Sequence, residues 1–202
     1  MGQEINFFRI TGKSSDVESN TFVKFPYSQE WYAEDIAFIM DEVIRRYGTD
    51  EWRACILTNE IHRHIGIFSI IGVKMGILAL ELLGTNRDNL NVISFTGSHP
   101  PFSCLNDGIQ VSTGATTGHG TIKVISDAKP TIKAVFQIQN LEVIIKLKEE
   151  YINKAESSIS KGRAFLPVSH DLYWNNVRRY GLEYWLEWDR HKIFDYKKRN
   201  LS

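Results

Sequence analysis

The chain has 202 residues, 43% of them hydrophobic, which suits one domain with a sizeable core, or one domain with an appendage. Its 24 Lys and Arg balance 24 Asp and Glu with the signs interleaved, which favours neither nucleic acid nor an anionic membrane as a partner. Only Cys55 and Cys104 are present, so a disulfide scaffold and a four-cysteine zinc module are both excluded.

No charged stretch followed by an apolar segment opens the chain, so a cytoplasmic location is expected, with the reservation that the start Met-Gly-Gln could replace a trimmed leader. Residues 1–28 read as an N-terminal arm without sustained period, pinned to the body by Phe22, Phe25 and Tyr27. Gly12-Lys13-Ser14 lacks the upstream glycine of a phosphate loop and is set aside. Ser28 is placed to cap a helix over 29–47, with Tyr32, Ile36, Ile39, Met40, Val43 and Tyr47 on one stripe and Gly48 at its end. The acids Glu34, Asp35, Asp41 and Glu42 fall off that stripe and read as a solvated face. A second helix, from about Asp50 to Ile61, turns Trp52 and Ile56 inward and delivers His62 and His64.

The stretch from Ile61 to Gly84 is apolar on nearly every side. Its length would cross a bilayer, but Lys74 in mid-run and Glu81 near the end oppose that, so it reads as a buried central helix. Gly72 and Gly76, four residues apart, allow another element to come close. Beyond it, Leu90 to Thr96 reads as a buried strand, residues 104–113 as a short helix, and Gly114 to Gly120 as a glycine-rich loop. Thr121 to Ser126 is a strand. Ile132, Ala134, Phe136 and Ile138 alternate on the next strand, and Leu141, Val143, Ile145 and Leu147 on the one after, joined at Gln139-Asn140 as an antiparallel hairpin. A polar helix over 148–160 closes a core domain of residues 29–160, with a boundary at Ser157 to Gly162. Residues 161–202 form a C-terminal extension, a helix near 169–190 and a solvated basic tail. Its stripe of Trp174, Val177, Gly181, Tyr184, Trp185 and Trp188 reads as a packing face rather than a ligand cage and is larger than a surface helix needs, so a homodimer is expected in which this helix joins the interface or reaches over the partner's site.

Five polar groups stand beside breaks in this pattern: His62, His64, His99, Cys104 and His119. Imidazole and thiolate suit zinc and other borderline metals. Two residues along a regular helix turn by about 200°, so His62 and His64 converge only where the helix is interrupted. Cys104 follows Pro100-Pro101 near a helix N-terminus, where the dipole favours thiolate. His119, between two glycines, suits a ligand or a general base. Each residue also has a plain account: packed or surface histidines explain His-x-His as often as a metal does, and a lone cysteine is usually a small apolar residue.

Ile-His-Arg-His-Ile-Gly (61–66), followed by a long apolar helix, resembles the opening motif of the FmdE family, which takes its name from a component of formylmethanofuran dehydrogenase. Cys104 to Gly120 resembles that family's second motif: a cysteine, Asp-x-Ile-Gln, Thr-Gly-Cys-Thr and a glycine pair. The resemblance covers roughly residues 30–155. It implies an α+β core, often dimeric: helices around a buried central one, packed on a mostly antiparallel sheet. It also implies a metal held by His62, His64 and Cys104, with Asp107, Gln110 and Thr113 in the second motif. Asp107 is then a candidate catalytic group by motif position, beside His119. The chain departs from the motifs where Gly66 replaces a cysteine, Ala115 another, and His119 a lysine. A site richer in nitrogen than sulfur favours zinc, then nickel or iron. The expectation is a divalent-metal protein, acting on a small-molecule substrate if it is an enzyme. The alternatives are a carrier that performs no reaction and a structural module without metal.

Overall fold

The computed structural model describes residues 24–86, 90–126, 130–165 and 171–201, without side chains at 162–165. Helix α1 (Glu34–His62) contains the expected break at Gly48, where φ 87° and ψ 168° depart from helical geometry. Glycine reaches that φ without a Cβ penalty, so the two helical runs join there at an angle. Ser28 does not cap α1. It precedes a 3-10 turn, Gln29–Trp31, and its hydroxyl donates to Glu30 at 3.1 Å. Phe25 is buried against α1 with Tyr27 packed on it, while Phe22 lies outside the described residues.

Helix α2 (Ile67–Leu83) is the centre of the fold. Ile67, Phe68, Ile71, Met75 and Leu78 face a core shared with the sheet, whereas Ile70, Val73 and Ile77 face a second core built by α1 and α5 (Asp171–Glu187). An element covered on both sides has to be apolar all round, which accounts for its composition. Gly84 caps its C-terminus at φ 65°, where Thr85 N–H donates to Leu80 O at 3.2 Å. Among the described residues no helix is long and apolar enough to cross a membrane. The helix starts six residues later than the apolar run suggests, because Arg63 ends α1 in the left-handed conformation, φ 65°. His62 therefore ends α1 and His64 lies in the hinge before α2, so the two histidines do not share one helix.

The sheet has five strands in the order β2-β1-β3-β4-β5. Strands β1 (Asn91–Ser94) and β2 (Ile122–Val124) are parallel, and β3 (Lys133–Ile138), β4 (Leu141–Leu147) and β5 (Phe194–Asn200) continue antiparallel. Val92, Phe136 and Val143 lie opposite one another and are buried, so the period-two pattern turns one face onto α2. The fold is α+β, helices on a mostly antiparallel sheet, as expected.

Three C-terminal readings change. The basic tail is β5, an edge strand whose exposed Lys197, Lys198 and Arg199 pair with β4 through backbone. The stretch at 157–162 lies inside α4 (Glu149–Phe165). The last long helix spans Asp171–Glu187 and stops three residues short of the expected end. A short helix, α6 (Arg190–Ile193), follows it. The aromatic stripe of α5 is used within the chain. Trp185 stacks on Trp52 at 4.9 Å, and Tyr184 stacks on Trp188 and hydrogen-bonds Ser158. That removes the argument that this helix must cover its aromatics with a second copy.

Two features hold the layers together. Helix α3 (Leu105–Thr113) crosses α2 at glycine positions: a Cβ at Gly72 would overlap the Leu105 carbonyl, and one at Gly108 the Ser69 carbonyl. A buried ionic network is the other. Lys74 Nζ donates to Glu51 Oε1 at 2.6 Å, and Arg190 Nη1 donates to Glu51 Oε2 at 3.1 Å. Lys74 and Glu51 are fully buried, and the Lys74 ammonium lies 3.7 Å from the centre of the Tyr47 ring. Burial pulls the Lys74 pKa below its ordinary value against the attraction of Glu51.

Candidate functional site

The hinge at residues 62–66 is held by Asn59. Its side-chain oxygen accepts from Gly66 N–H at 3.1 Å and from Ser69 Oγ at 2.8 Å, and its amide donates to Cys55 O at 2.7 Å. Arg63 in the left-handed conformation reverses the chain and places the rings of His62 and His64 4.2 Å apart. The glycine crossing of α2 and α3 then brings the second motif to the first: Asp107 Oδ2 lies 2.8 Å from His62 Nδ1.

The Asp107 carboxylate, then the Cys104 thiol, hold the His62 pKa up at about 9 against the opposing effect of burial. His62 Nε2 is buried and has no hydrogen-bond partner among the described residues. It faces Gly66, where an added Cβ would lie 3.2 Å from Nε2 and 2.8 Å from Ser69 Oγ. His64 shifts the other way, lowered by burial and by the neighbouring His62. Its ring packs on Trp174 of α5 at 4.6 Å. Gly181 lets α5 approach this closely, since a Cβ there would meet Ile65 Cγ2 at 2.9 Å.

His62, His64, Cys104 and Asp107 are thus brought together. His119 is not joined to them by any described contact. It is exposed in the 114–120 turn, its backbone N–H donating to Thr116 Oγ1 at 3.1 Å and its Nδ1 3.4 Å from Gly114 O. His99 is exposed in the loop before the cis Pro100-Pro101 bond. Gln110 and Thr113 shape the same turn: Gln110 Oε1 accepts from Thr117 N–H at 3.1 Å, and Thr113 Oγ1 accepts from Ala115 N–H at 3.2 Å. Among the described residues no group of three or more His, Cys, Asp and Glu side chains is arranged to hold a metal ion. Asn59 lay outside the sequence reading, and Trp174 was read there as part of the aromatic stripe, not as a neighbour of His64. Asn59 bonds back to the carbonyl four residues earlier, a bond open to any helical Asn and so no signal of a site, and Trp174 reaches His64 only through the tertiary fold.

The family model described as FmdE, molybdenum formylmethanofuran dehydrogenase operon, matches residues 61–195, two thirds of the chain. The chain belongs to the FmdE family. The FmdE match begins at the hinge and ends at the start of β5, so α5 falls within the matched region and all but the first two residues of the edge strand lie beyond it. A probable S-adenosyl-L-methionine-binding protein of Archaeoglobus fulgidus is 30% identical over 88 residues, 41% of this chain. The match spans only 23% of that relative's length. A crystal structure of a tungsten formylmethanofuran dehydrogenase FmdE-like protein from Syntrophus aciditrophicus is similar at 18% identity and a TM-score of 0.43. That similarity covers 71% of this chain and 68% of the other. Gly66 leaves the space beside it to the His62 ring and Ser69.

The raised His62 pKa has a signed consequence. The ordinary value is 6.5, so stabilisation by the Asp107 pair is complete below about pH 6.5 and fades as pH rises through about 9. In metal-free protein, NMR titration should place His62 near 9 and His64 below its ordinary value. Asp107→Asn should move the His62 midpoint down toward 6.5. An unmoved midpoint would show that another group holds the proton.

Proposed function

We propose that this FmdE protein binds a divalent transition metal at His62 Nε2 and the Cys104 thiolate, with His64 completing the set. One observation carries the reading: a buried, unpartnered Nε2 whose ring is fixed through Nδ1 by a carboxylate, beside a thiol. Metal-bound histidines commonly have that outer partner, which fixes the tautomer and strengthens the donor. His64 joins when its ring turns from Trp174 toward its neighbour. Two imidazoles and one thiolate suit zinc first, nickel or iron next. When bound, such an ion supplies a Lewis acid at an open coordination position. Asp107 positions His62, and as a carboxylate beside the open position it is the available acid–base group.

A second reading has its own support. Because no three-donor group stands ready among the described residues, the His62–Asp107 pair could serve only to lock α3 against α1. Elemental analysis of protein purified without added metal separates the two. The metal reading expects close to one ion per chain, falling to a small residue in His62→Ala with the helical spectrum unchanged. Protein that arrives empty and takes up no zinc at neutral pH leaves the structural reading standing.

A further inference from the structure

Beside the hinge lies a second feature that the metal reading does not use. A cleft of about 710 Å³ opens between the 3-10 turn before α1, the last turn of α1 and the middle of α5. That volume is in the range of small-molecule sites. Trp31 stands at its edge with 70% of its surface exposed. Tyr32, the next ring, is fixed by its hydroxyl bond to the Pro26 carbonyl and by edge contact with Trp52 at 5.3 Å. Arg63 lines the cleft from a left-handed backbone, φ 65°, where glycine would be free of strain. A strained non-glycine residue that survives at such a point invites a functional reading. Arg63 is exposed, and its guanidinium has no hydrogen-bond or ion-pair partner among the described residues.

The charge of the cleft narrows the ligand. Arg178 also lines it, with Nε and Nη2 on Asp35 at 2.6 and 2.7 Å, so that cation is already neutralised. Glu60 is the one acid of the lining and is exposed. With Arg178 paired to Asp35, Arg63 is the cation left for an anionic ligand, and a single guanidinium beside one acid matches one carboxylate better than a phosphate dianion. His64 forms part of the wall. We infer that this cleft binds a small planar monocarboxylate, its carboxylate on Arg63 and its ring against Trp31 and Tyr32, with its other end beside His64. The inference does not need a bound metal.

The test uses the full chain with a chelator present, so that a carboxylate cannot bind through metal. The probes are 2-naphthoate and its neutral counterpart 2-naphthamide, titrated by NMR on the Trp31 indole and His64 ring signals. Naphthoate should bind at least about tenfold more tightly than naphthamide, the effect of one charge-assisted contact. Arg63→Gly, which relieves the backbone strain and keeps the fold, should erase that ratio. Trp31→Ala should weaken both probes. Equal binding of the two probes, no binding at millimolar concentration, or an unchanged ratio in Arg63→Gly would overturn the inference. Since metal content is measured separately on chelator-free protein, failure here leaves the metal reading untouched, and the converse holds.

Discussion

Gly108→Ala should destabilise the chain by about 3 kcal/mol or more, at the upper end of overpacking effects. Added helix propensity favours alanine by about 1 kcal/mol, which is too little to compensate. The new methyl group would overlap the Ser69 carbonyl and press on the Val73 nitrogen, and both are backbone atoms inside a buried helix. Neither can rotate away, so α3 must move as a body. Gly72→Ala meets the Leu105 backbone from the other side and should behave alike. Gly76→Ala meets chiefly the Ser112 hydroxyl and the Thr113 methyl, which are side-chain atoms, and should cost less. Urea unfolding followed by circular dichroism ranks the three. The same shift of α3 would draw Asp107 and Cys104 off His62, so any Gly108→Ala protein that folds should also lose the raised His62 midpoint. A variant within about 1 kcal/mol of the parent would mean that the helices are not in closest contact there.

Glu51→Ala is the second large effect. It leaves Lys74 fully buried without its carboxylate and takes one partner from Arg190, whose remaining acid is Glu81. Removing one member of a buried ion pair typically costs about 3–5 kcal/mol, because the other charge stays desolvated. Lys74→Met alone should cost less, since Glu51 keeps Arg190 at 3.1 Å. The double variant Glu51→Gln with Lys74→Met removes both charges and should recover much of the Glu51→Ala loss. Thermal unfolding of the three proteins settles the order. If Glu51→Ala proved no worse than Lys74→Met, the network would not be holding α6 to α1 and α2.

These two effects mark where the sequence was readable and where it was not. A run apolar on every side has to be covered on every side, so the central place of α2 could be read directly. The alternation of β3 and β4, and the glycine stops at Gly48 and Gly84, are equally local signals. The strand β5 was not legible, because an edge strand shows Asp-Tyr-Lys-Lys-Arg to solvent and pairs through backbone alone. The histidine pair was visible as a motif. Its convergence was not, since it depends on a left-handed arginine that no propensity foretells. The aromatic stripe on α5 was seen, but its partners Trp52, Ser158 and His64 are distant in the chain, and a surplus of aromatics looks the same whether its partner is the same chain or another.

The claim that His62 and Cys104 serve one metal is tested most directly by cobalt(II) titration of the full chain at neutral pH, read by absorption. A thiolate-to-cobalt charge-transfer band should grow to saturation at one equivalent, with proton release as the thiol ionises. It should be absent in Cys104→Ala and greatly weakened in His62→Ala, with both variants folded. A native chain that develops no such band under excess cobalt, or a band that survives Cys104→Ala, would contradict the account.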